Sequence, residues 1–204
     1  MPSYKLTYFD FRGLGEVNRQ LLVLAGQPFE DDRVAFEEWA ERKKSTPFGQ
    51  MPVLEVDGQQ LAQSFSIARF LARQYGFAGK DDFEAAWADA LGDQVKDYFV
   101  DLRPYFQMMA GFREGDKEAR PAGEAARLKL YPFLEKSLSE SKSGFLVGDG
   151  LTWIDVFLAD HVDVLKGIIP GFLDEYPKVL EHSTKVRSEP KLKEYLDKRP
   201  VRNF

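Results

Sequence analysis

Cysteine is absent from this chain of 204 residues. Without a thiol of its own the protein forms no disulfide, no cysteine-ligated zinc site and no cysteine nucleophile. Histidine is also scarce, because only His161 and His182 are present. The sequence therefore offers little material for a histidine-rich metal site or a histidine-based catalytic triad, and thiol–disulfide exchange by the chain itself is excluded.

Long apolar runs and an excess of positive charge are missing as well. No apolar run approaches the roughly 18 residues that a membrane span needs, and Lys5 and Asp10 interrupt any secretory-signal core at the N-terminus. Lys and Arg number 28 against 33 Asp and Glu, a net charge of −5, which disfavours general nucleic-acid binding. We therefore expect a cytoplasmic protein with neither a membrane nor a nucleic acid as its partner.

Strand and helix patterns alternate in the first part of the chain. Aromatic and β-branched residues at 4–9 predict a strand, and Asp57-Gly58 predicts a tight hairpin turn between two further strands. Apolar residues recur at helical spacing over 17–25 and again after Ser64. The predicted order is β-α-β-α-β-β-α, with strands at 4–9, 29–34, 52–56 and 59–61 and helices at 17–25, 35–44 and 64–75.

Beyond residue 80 only helical patterns remain. Apolar residues from Trp87 to Met109 follow steps of three and four and predict one long helix. Thr152 and Asp155 have the spacing of a capping box, and Pro177 and Pro190 suit the first positions of short helices. The predicted fold class is an α/β domain at residues 1–79 followed by an all-helical domain at 80–204.

Four short motifs occur in a characteristic order along the chain. They are Tyr8-Phe9, residues 48–54 (FGQMPVL), residues 63–68 (QSFSIA) and residues 148–155 (GDGLTWID). Together they resemble the cytosolic glutathione transferases, and most closely the sigma class with its nematode members and prostaglandin D synthases. The resemblance implies a thioredoxin-like glutathione-binding domain at 1–79, an all-helical domain at 80–204 that contributes a hydrophobic substrate site, and a homodimer.

The resemblance makes Tyr8 the catalytic residue, whereas its position alone suits a half-buried strand aromatic. Glutathione reacts through its thiolate, and a free thiol has a pKa of about 8.5. Lowering that pKa by roughly two units needs about 2.7 kcal/mol, and one charge-assisted hydrogen bond contributes about 1.5–3 kcal/mol. A hydrogen bond from the Tyr8 hydroxyl to the sulfur therefore accounts for most of the required stabilisation.

The resemblance also assigns the residues that bind glutathione. Gln63 and Ser64, at a predicted helix start, hold the γ-glutamyl carboxylate. Met51, before a cis-proline, pairs with the cysteinyl backbone, and Trp39 and Lys43 hold the glycyl carboxylate. From the residues alone, Ser64 is equally an N-cap and Lys43 a solvated charge. The full predicted set is Tyr8, Trp39, Lys43, Gln50, Met51, Pro52, Gln63, Ser64 and Asp97, with Asp97 supplied across the dimer.

A hydrophobic electrophile is expected beside the sulfur. The predicted lining residues are Phe9, Phe11, Gly13, Leu14, Phe99 and Tyr105, and each of them is also consistent with core packing. Leu14 stands where sigma-class relatives often have arginine, so thiol activation depends more on Tyr8. Lys96 interrupts the acidic cluster that binds a cation in the related prostaglandin synthase, and we expect no metal. We assign Thr152, Asp155 and His161 to folding.

The predicted function is conjugation of glutathione to hydrophobic electrophiles in detoxification, with peroxidase or isomerase chemistry by the same thiolate. Glutathione is the co-substrate, no metal is required, and the partners are a second copy of the chain and a small electrophile. One alternative is a non-catalytic carrier of haem or other hydrophobic ligands, or a structural protein on the same fold. Another is a glutathione-dependent prostaglandin D synthase.

Overall fold

The computed structural model describes residues 2–202, which divide into two compact units. The first contains residues 2–78 together with 187–202, and the second contains 79–186. The last helix therefore packs in the same unit as the N-terminal strands, although more than one hundred residues separate them along the chain. No helix among the described residues is long and apolar enough to cross a membrane.

A four-stranded sheet forms the centre of the first unit. Its strands are β1 (Tyr4–Phe9), β2 (Glu30–Val34), β3 (Val53–Val56) and β4 (Gln59–Ala62). They lie in the order β2-β1-β3-β4, with β1 parallel to β2 and antiparallel to β3, and β3 antiparallel to β4. This mixed sheet confirms the predicted thioredoxin-like class and element order.

Alternation along β1 determines which of its side chains are buried. Tyr4, Leu6 and Tyr8 are buried, whereas Phe9 and the other intervening residues are only partly covered, as the two-residue period of a strand requires. The β3–β4 hairpin turns at Asp57-Gly58, which have φ values of 49° and 83°. Two successive left-handed residues are typical of a type I′ turn, and they confirm the predicted hairpin.

Four helices accompany the sheet: α1 (Glu16–Ala25), α2 (Trp39–Arg42), α3 (Ser64–Tyr75) and α8 (Pro190–Lys198). Helix α1 is followed by Gly26, whose φ of 66° and N–H bond to Val23 O form a left-handed glycine cap. The expected continuous helix over 35–44 is wrong. Helix α2 has four residues and lies between 3₁₀ turns at Phe36–Glu38 and Lys43–Ser45.

The second unit is helical, as predicted. It contains α4 (Asp82–Met109), α5 (Ala119–Glu140), α6 (Trp153–Ile168) and α7 (Pro177–Arg187) except the last residue of α7. The Asp81 side chain caps α4 by accepting hydrogen bonds from the N–H groups of Phe83 and Glu84. Gly92 lets α4 approach α6 closely, because a Cβ there would lie 2.3 Å from the Trp153 ring.

Asp155 connects three segments of the second unit beneath the start of α6. Its carboxylate accepts hydrogen bonds from Thr152 N at 2.9 Å, Thr152 Oγ1 at 2.6 Å and Leu146 N at 2.8 Å, and it contacts His182 Nε2 at 2.8 Å. Its side chain is fully buried. The structural role predicted for Thr152 and Asp155 is confirmed, and so is the burial of His161 in the core.

We expect Asp155→Ala to lower the free energy of unfolding by about 3 kcal/mol, because several buried donors lose their only described acceptor together. Urea unfolding followed by circular dichroism measures the loss. Asp197→Ala is the matched control, since it removes an exposed carboxylate paired with Lys193 and should cost about 0.5 kcal/mol or less. Equal losses in the two variants would contradict the role assigned to Asp155.

Candidate functional site

Tyr8 lies near the end of β1 with its ring buried and its hydroxyl group in a defined hydrogen bond. The backbone N–H of Leu14 donates to the Tyr8 hydroxyl oxygen over 3.1 Å. A phenol has one proton to donate, and here its oxygen already accepts from the main chain. The Leu14 contact therefore leaves that proton available to a neighbouring acceptor.

The ionisation of Tyr8 is set chiefly by burial. Desolvation raises the pKa of the Tyr8 phenol, and the Leu14 N–H and the Arg19 charge offset only part of that rise. The ordinary tyrosine pKa is about 10, so Tyr8 stays protonated throughout the neutral range. The side chain is consequently a hydrogen-bond donor at physiological pH and is unsuited to act as a general base.

Gly13 permits the close approach of the β1–α1 loop to Tyr8. Its φ is +43°, and a Cβ at this position would lie 2.6 Å from the Tyr8 hydroxyl oxygen and 2.7 Å from a Phe11 ring carbon. Glycine meets both the backbone and the steric requirement. The absence of a side chain therefore keeps the phenol, the Phe11 ring edge and the loop within contact of one another.

Aromatic rings cluster beside Tyr8 in the first unit. Phe9 stacks on Phe11 with centroids 5.4 Å apart and on Phe36 at 4.8 Å, and Trp39 meets Phe9 edge-on at 5.6 Å. Phe11 contacts the Tyr8 ring at 5.4 Å. Phe36 was not predicted, and 62% of its surface is exposed. The cluster places an accessible apolar surface close to the catalytic candidate.

Gln63 connects the end of β4 to α3 through an unusual backbone conformation. Its φ of 76° is rare for a residue with a side chain, and positions of this kind are concentrated at ligand clamps. The Gln63 side-chain amide donates to Gln50 Oε1 over 3.3 Å. The structure thus brings two of the predicted glutathione-binding residues into contact.

Ser64 is the first residue of α3 and is buried. The first helical hydrogen bond runs from Ile67 N to Gln63 O. The N-terminus of a helix favours an anion, because its amides and the helix dipole point outward. Ser64 therefore begins a segment suited to a carboxylate, and its own hydroxyl adds a donor.

The remaining predicted binding residues of the first unit are more dispersed. The Met51–Pro52 peptide bond is cis, as the resemblance implies, and Pro52 is buried directly before β3. Trp39 joins the aromatic cluster through Phe9. Lys43 is exposed in the 3₁₀ turn that follows α2, so its amine is accessible to a ligand carboxylate.

Three predicted site residues belong to α4 in the second unit. Asp97 is exposed, and the half-buried Phe99 contacts the His161 ring at 4.4 Å. Tyr105 is buried, with its ring against Gly123 and 5.8 Å from that of Phe172. Core packing therefore explains Tyr105 by itself. Among the described residues, no group of three or more His, Asp or Glu side chains is arranged to hold a metal.

Arg19 is the main charged residue near the site that the sequence analysis missed. Its fully buried guanidinium donates to the carbonyl oxygens of Phe9 and Phe11 and lies 5.8 Å from the Tyr8 ring centroid. Little in the sequence indicated it, because Arg19 lies on the side of α1 opposite the apolar stripe that contains Val17 and Leu21. The local signal is Glu16 three residues earlier, a spacing that suits an ion pair.

Comparisons with known proteins indicate one family for both parts of the chain. A family profile for the N-terminal domain of glutathione S-transferases matches residues 4–73, and one for the C-terminal domain matches residues 101–199. The chain is 48% identical to a probable glutathione S-transferase 9 of Caenorhabditis elegans over 98% of each chain. It therefore belongs to the glutathione S-transferase family, and it is an enzyme of that class.

Solved structures extend the comparison. A Nu-class glutathione transferase from Haemonchus contortus is 47% identical, with a TM-score of 0.91 over the full length of both chains. A prostaglandin synthase D of Nilaparvata lugens is 34% identical, with a TM-score of 0.84 over 98% of this chain and 100% of that one. These similarities support the two-domain transferase architecture.

Gly13→Ala should reduce conjugation by about ten-fold or more, because the added methyl group collides with the hydroxyl of Tyr8 and displaces this candidate catalytic side chain. Steady-state turnover with chlorodinitrobenzene tests this expectation. Gly58→Ala is the control, since Gly58 also has a positive φ, of 83°, but no neighbour within 4 Å of the added Cβ. A similar loss of turnover in both variants would mean that backbone strain, not contact with Tyr8, causes the effect.

Proposed function

We propose that Tyr8 activates glutathione by donating its phenol proton in a hydrogen bond to the substrate sulfur. The observation that carries this proposal is the 3.1 Å bond from Leu14 N–H to the Tyr8 oxygen. It fills an acceptor site on the phenol and leaves the proton for the ligand. Because burial raises the pKa of Tyr8, the phenol remains a donor in the neutral range, where we propose that the bound thiol ionises.

The proposed reaction joins glutathione to an electrophilic carbon. The thiol loses its proton to solvent, the thiolate attacks the carbon, a carbon–sulfur bond forms and the leaving group departs with its electron pair. Tyr8 stabilises the anion without accepting a proton. The same thiolate supports peroxidase or isomerase chemistry with other substrates. The cellular role we propose is detoxification of hydrophobic electrophiles in the cytoplasm.

Residues 1–79 are proposed to bind glutathione. Gln63 and Ser64 hold the γ-glutamyl carboxylate at the start of α3, with Gln50 beside Gln63. The backbone of Met51, before Pro52, pairs with the cysteinyl residue. Trp39 and Lys43 hold the glycyl carboxylate. The helix N-terminus, the Gln63–Gln50 contact and the accessible Lys43 amine support this assignment.

The hydrophobic substrate is proposed to contact Phe9, Phe11, Gly13 and Leu14, with residues 80–204 adding Phe99 and Tyr105. The stacked rings next to Tyr8 support the first group. Leu14 has an apolar side chain that is 38% exposed, which favours an apolar ligand. The Tyr105 ring packs against Gly123 within the second unit.

A homodimer is proposed to complete the glutathione site. Asp97 of each subunit would pair with the γ-glutamyl ammonium of glutathione in the other. Asp97 is exposed on α4, so its carboxylate is accessible to a second chain. An acidic partner is appropriate for this ammonium, since opposite charges favour each other most where water is partly excluded.

Two more specific possibilities within the glutathione transferase family are membership of the sigma class and prostaglandin D synthase activity. The prostaglandin synthase D from Nilaparvata lugens favours them. The more similar Nu-class protein and the apolar residue at Leu14 favour a general nematode transferase. Analysis of the products formed from prostaglandin H separates the two, because an isomerase yields prostaglandin D and a general transferase does not do so selectively.

A carrier of haem or other hydrophobic ligands is the competing non-catalytic role. Binding to immobilised glutathione combined with a chlorodinitrobenzene assay distinguishes it from the proposed enzyme role. The proposal predicts both retention and turnover. Retention without turnover would favour the carrier.

Tyr8→Phe should lower turnover at least about ten-fold, because the ring remains but the donor to the sulfur is lost. The KM for glutathione should stay within about two-fold, since the bonds to its carboxylates and backbone are unchanged. Kinetics at varied glutathione concentration separate the two effects. Equal turnover in the variant would remove Tyr8 from the chemistry.

Asp97→Ala should weaken glutathione binding about ten-fold while the midpoint of thermal unfolding changes little, because the exposed carboxylate contacts only the ligand in this proposal. Asp101→Ala is the matched control one turn along α4, since Asp101 pairs with Lys129 on the protein surface. Titration calorimetry with glutathione measures both affinities. Unchanged affinity in Asp97→Ala would contradict the cross-subunit contact.

A further inference from the structure

The loop between β1 and α1 is fixed from below by a buried arginine. Arg19 is completely buried, and it donates to Phe11 O over 2.9 Å and to Phe9 O over 3.1 Å. These carbonyls lie between Tyr8 and Leu14 in sequence. The guanidinium therefore restrains the path of the segment that brings the Leu14 amide to the Tyr8 hydroxyl.

Arg19 is held in turn by two carboxylates. Its Nε donates to Asp31 of β2 over 2.8 Å, and its Nη1 lies 3.4 Å from Glu16 at the start of α1. Glu16 is only 2% exposed. A buried guanidinium keeps a defined orientation only while its carboxylate partners keep theirs, so the position of Glu16 bears on the loop above.

Arg199, beyond the end of α8, reaches Glu16 from a distant part of the sequence. Its guanidinium donates to Glu16 Oε1, and its side chain is 11% exposed. Helix α8 packs against α1, where Lys191 Nζ donates to Leu24 O over 3.1 Å. Packing of α8 thus places a positive charge beside the carboxylate that pairs with Arg19.

Arg12 of the same loop is also buried, whereas charged groups on the outer side of this network are more accessible to water. Arg33 connects Asp31 with Asp10, and Arg202 also pairs with Asp10. The side chains of Arg202 and Asp10 are 43% and 41% exposed, so solvent screens that pair. Burial raises the pKa of the Tyr195 hydroxyl, so it is neutral here. Arg199 is thus the less exposed of the two arginines beyond α8.

We propose that Arg199 is a positioning residue for glutathione activation, which acts through Glu16 and Arg19 to hold the Leu14 N–H against the Tyr8 hydroxyl. The inference rests on the proposed function of Tyr8. It adds a residue that follows α8 to the residues that orient the Tyr8 hydroxyl. Arg199, Glu16 and Arg19 are all distinct from the residues assigned to bind the glutathione carboxylates.

The expected effect follows from hydrogen-bond geometry. If Arg199 no longer fixes Glu16, the loop gains freedom and the Leu14–Tyr8 bond loses its alignment. The phenol then donates less consistently to the sulfur, and a smaller fraction of bound glutathione is ionised near neutral pH. Turnover should fall and its pH profile should move to higher pH, while the KM for glutathione changes little.

The test compares Arg199→Lys and Arg199→Ala with the control Lys198→Ala, which removes only an exposed pair with Glu194. Turnover with chlorodinitrobenzene is measured across pH at saturating glutathione. We expect Arg199→Lys to lower turnover near neutral pH by about five-fold, with a shifted profile, since small misplacements of a catalytic group cost this much. Lys198→Ala should match the unmodified protein.

A double-mutant cycle with Tyr8→Phe identifies the route of the effect. If Arg199 acts through Tyr8, Arg199→Lys has almost no further effect on turnover once the phenol oxygen is gone. If the double variant instead loses turnover by the product of the two single-variant factors, the inference about Arg199 is overturned and the proposed function of Tyr8 is unaffected. Full turnover in Tyr8→Phe alone would overturn the proposed function, and this inference with it.

Arg199→Ala removes the whole guanidinium and therefore perturbs the contact with Glu16 more strongly than Arg199→Lys does. Thermal unfolding shows whether the Arg199→Ala variant folds. Should it fail to fold, Arg199→Lys decides the question, because it keeps the positive charge and loses only the planar guanidinium. A folded Arg199→Lys protein with an unchanged pH profile and unchanged turnover would contradict the proposal.

Discussion

The contact between the Leu14 amide and the Tyr8 hydroxyl is the interaction on which the site depends. It is a modest backbone hydrogen bond of 3.1 Å, yet it determines which way a phenol with a single proton donates. Burial raises the pKa of the same phenol, so the proton is retained while a bound thiol ionises. Orientation and protonation together make Tyr8 a donor suited to an anionic sulfur.

Much of the first unit can be understood as support for that contact. Gly13 gives the loop room to reach the phenol, and Arg19 binds two carbonyls of the same loop from within the core. Burying a guanidinium is costly unless carboxylates satisfy it, and Glu16 and Asp31 do so. In our proposal, Arg199 extends this support to the far end of the chain. A preorganised donor of this kind needs no rearrangement when charge develops on the sulfur.

Local signals in the sequence predict much of the fold. The strand at 4–9, the Asp57-Gly58 turn and the helix that begins at Ser64 all depend on neighbouring residues, and the structure confirms them. Residues 35–44 were expected to form one helix but form the short helix α2 between two 3₁₀ turns, because helical spacing does not reveal where hydrogen bonding changes from α to 3₁₀. The site was less accessible to prediction. Arg19 was missed, since its carboxylate partner Asp31 on β2 becomes adjacent to α1 only in the folded unit.

The central claim concerns the ionisation of bound glutathione, which ultraviolet thiolate absorbance reports without any second substrate. Titration of the complex with pH, against free glutathione as reference, tests the claim most directly. A free thiol ionises with a pKa of about 8.5. Our account predicts that the bound thiol ionises at least about one pH unit lower. A bound thiol that titrates at the same pH as the free one would contradict the account, whatever the fold of the chain.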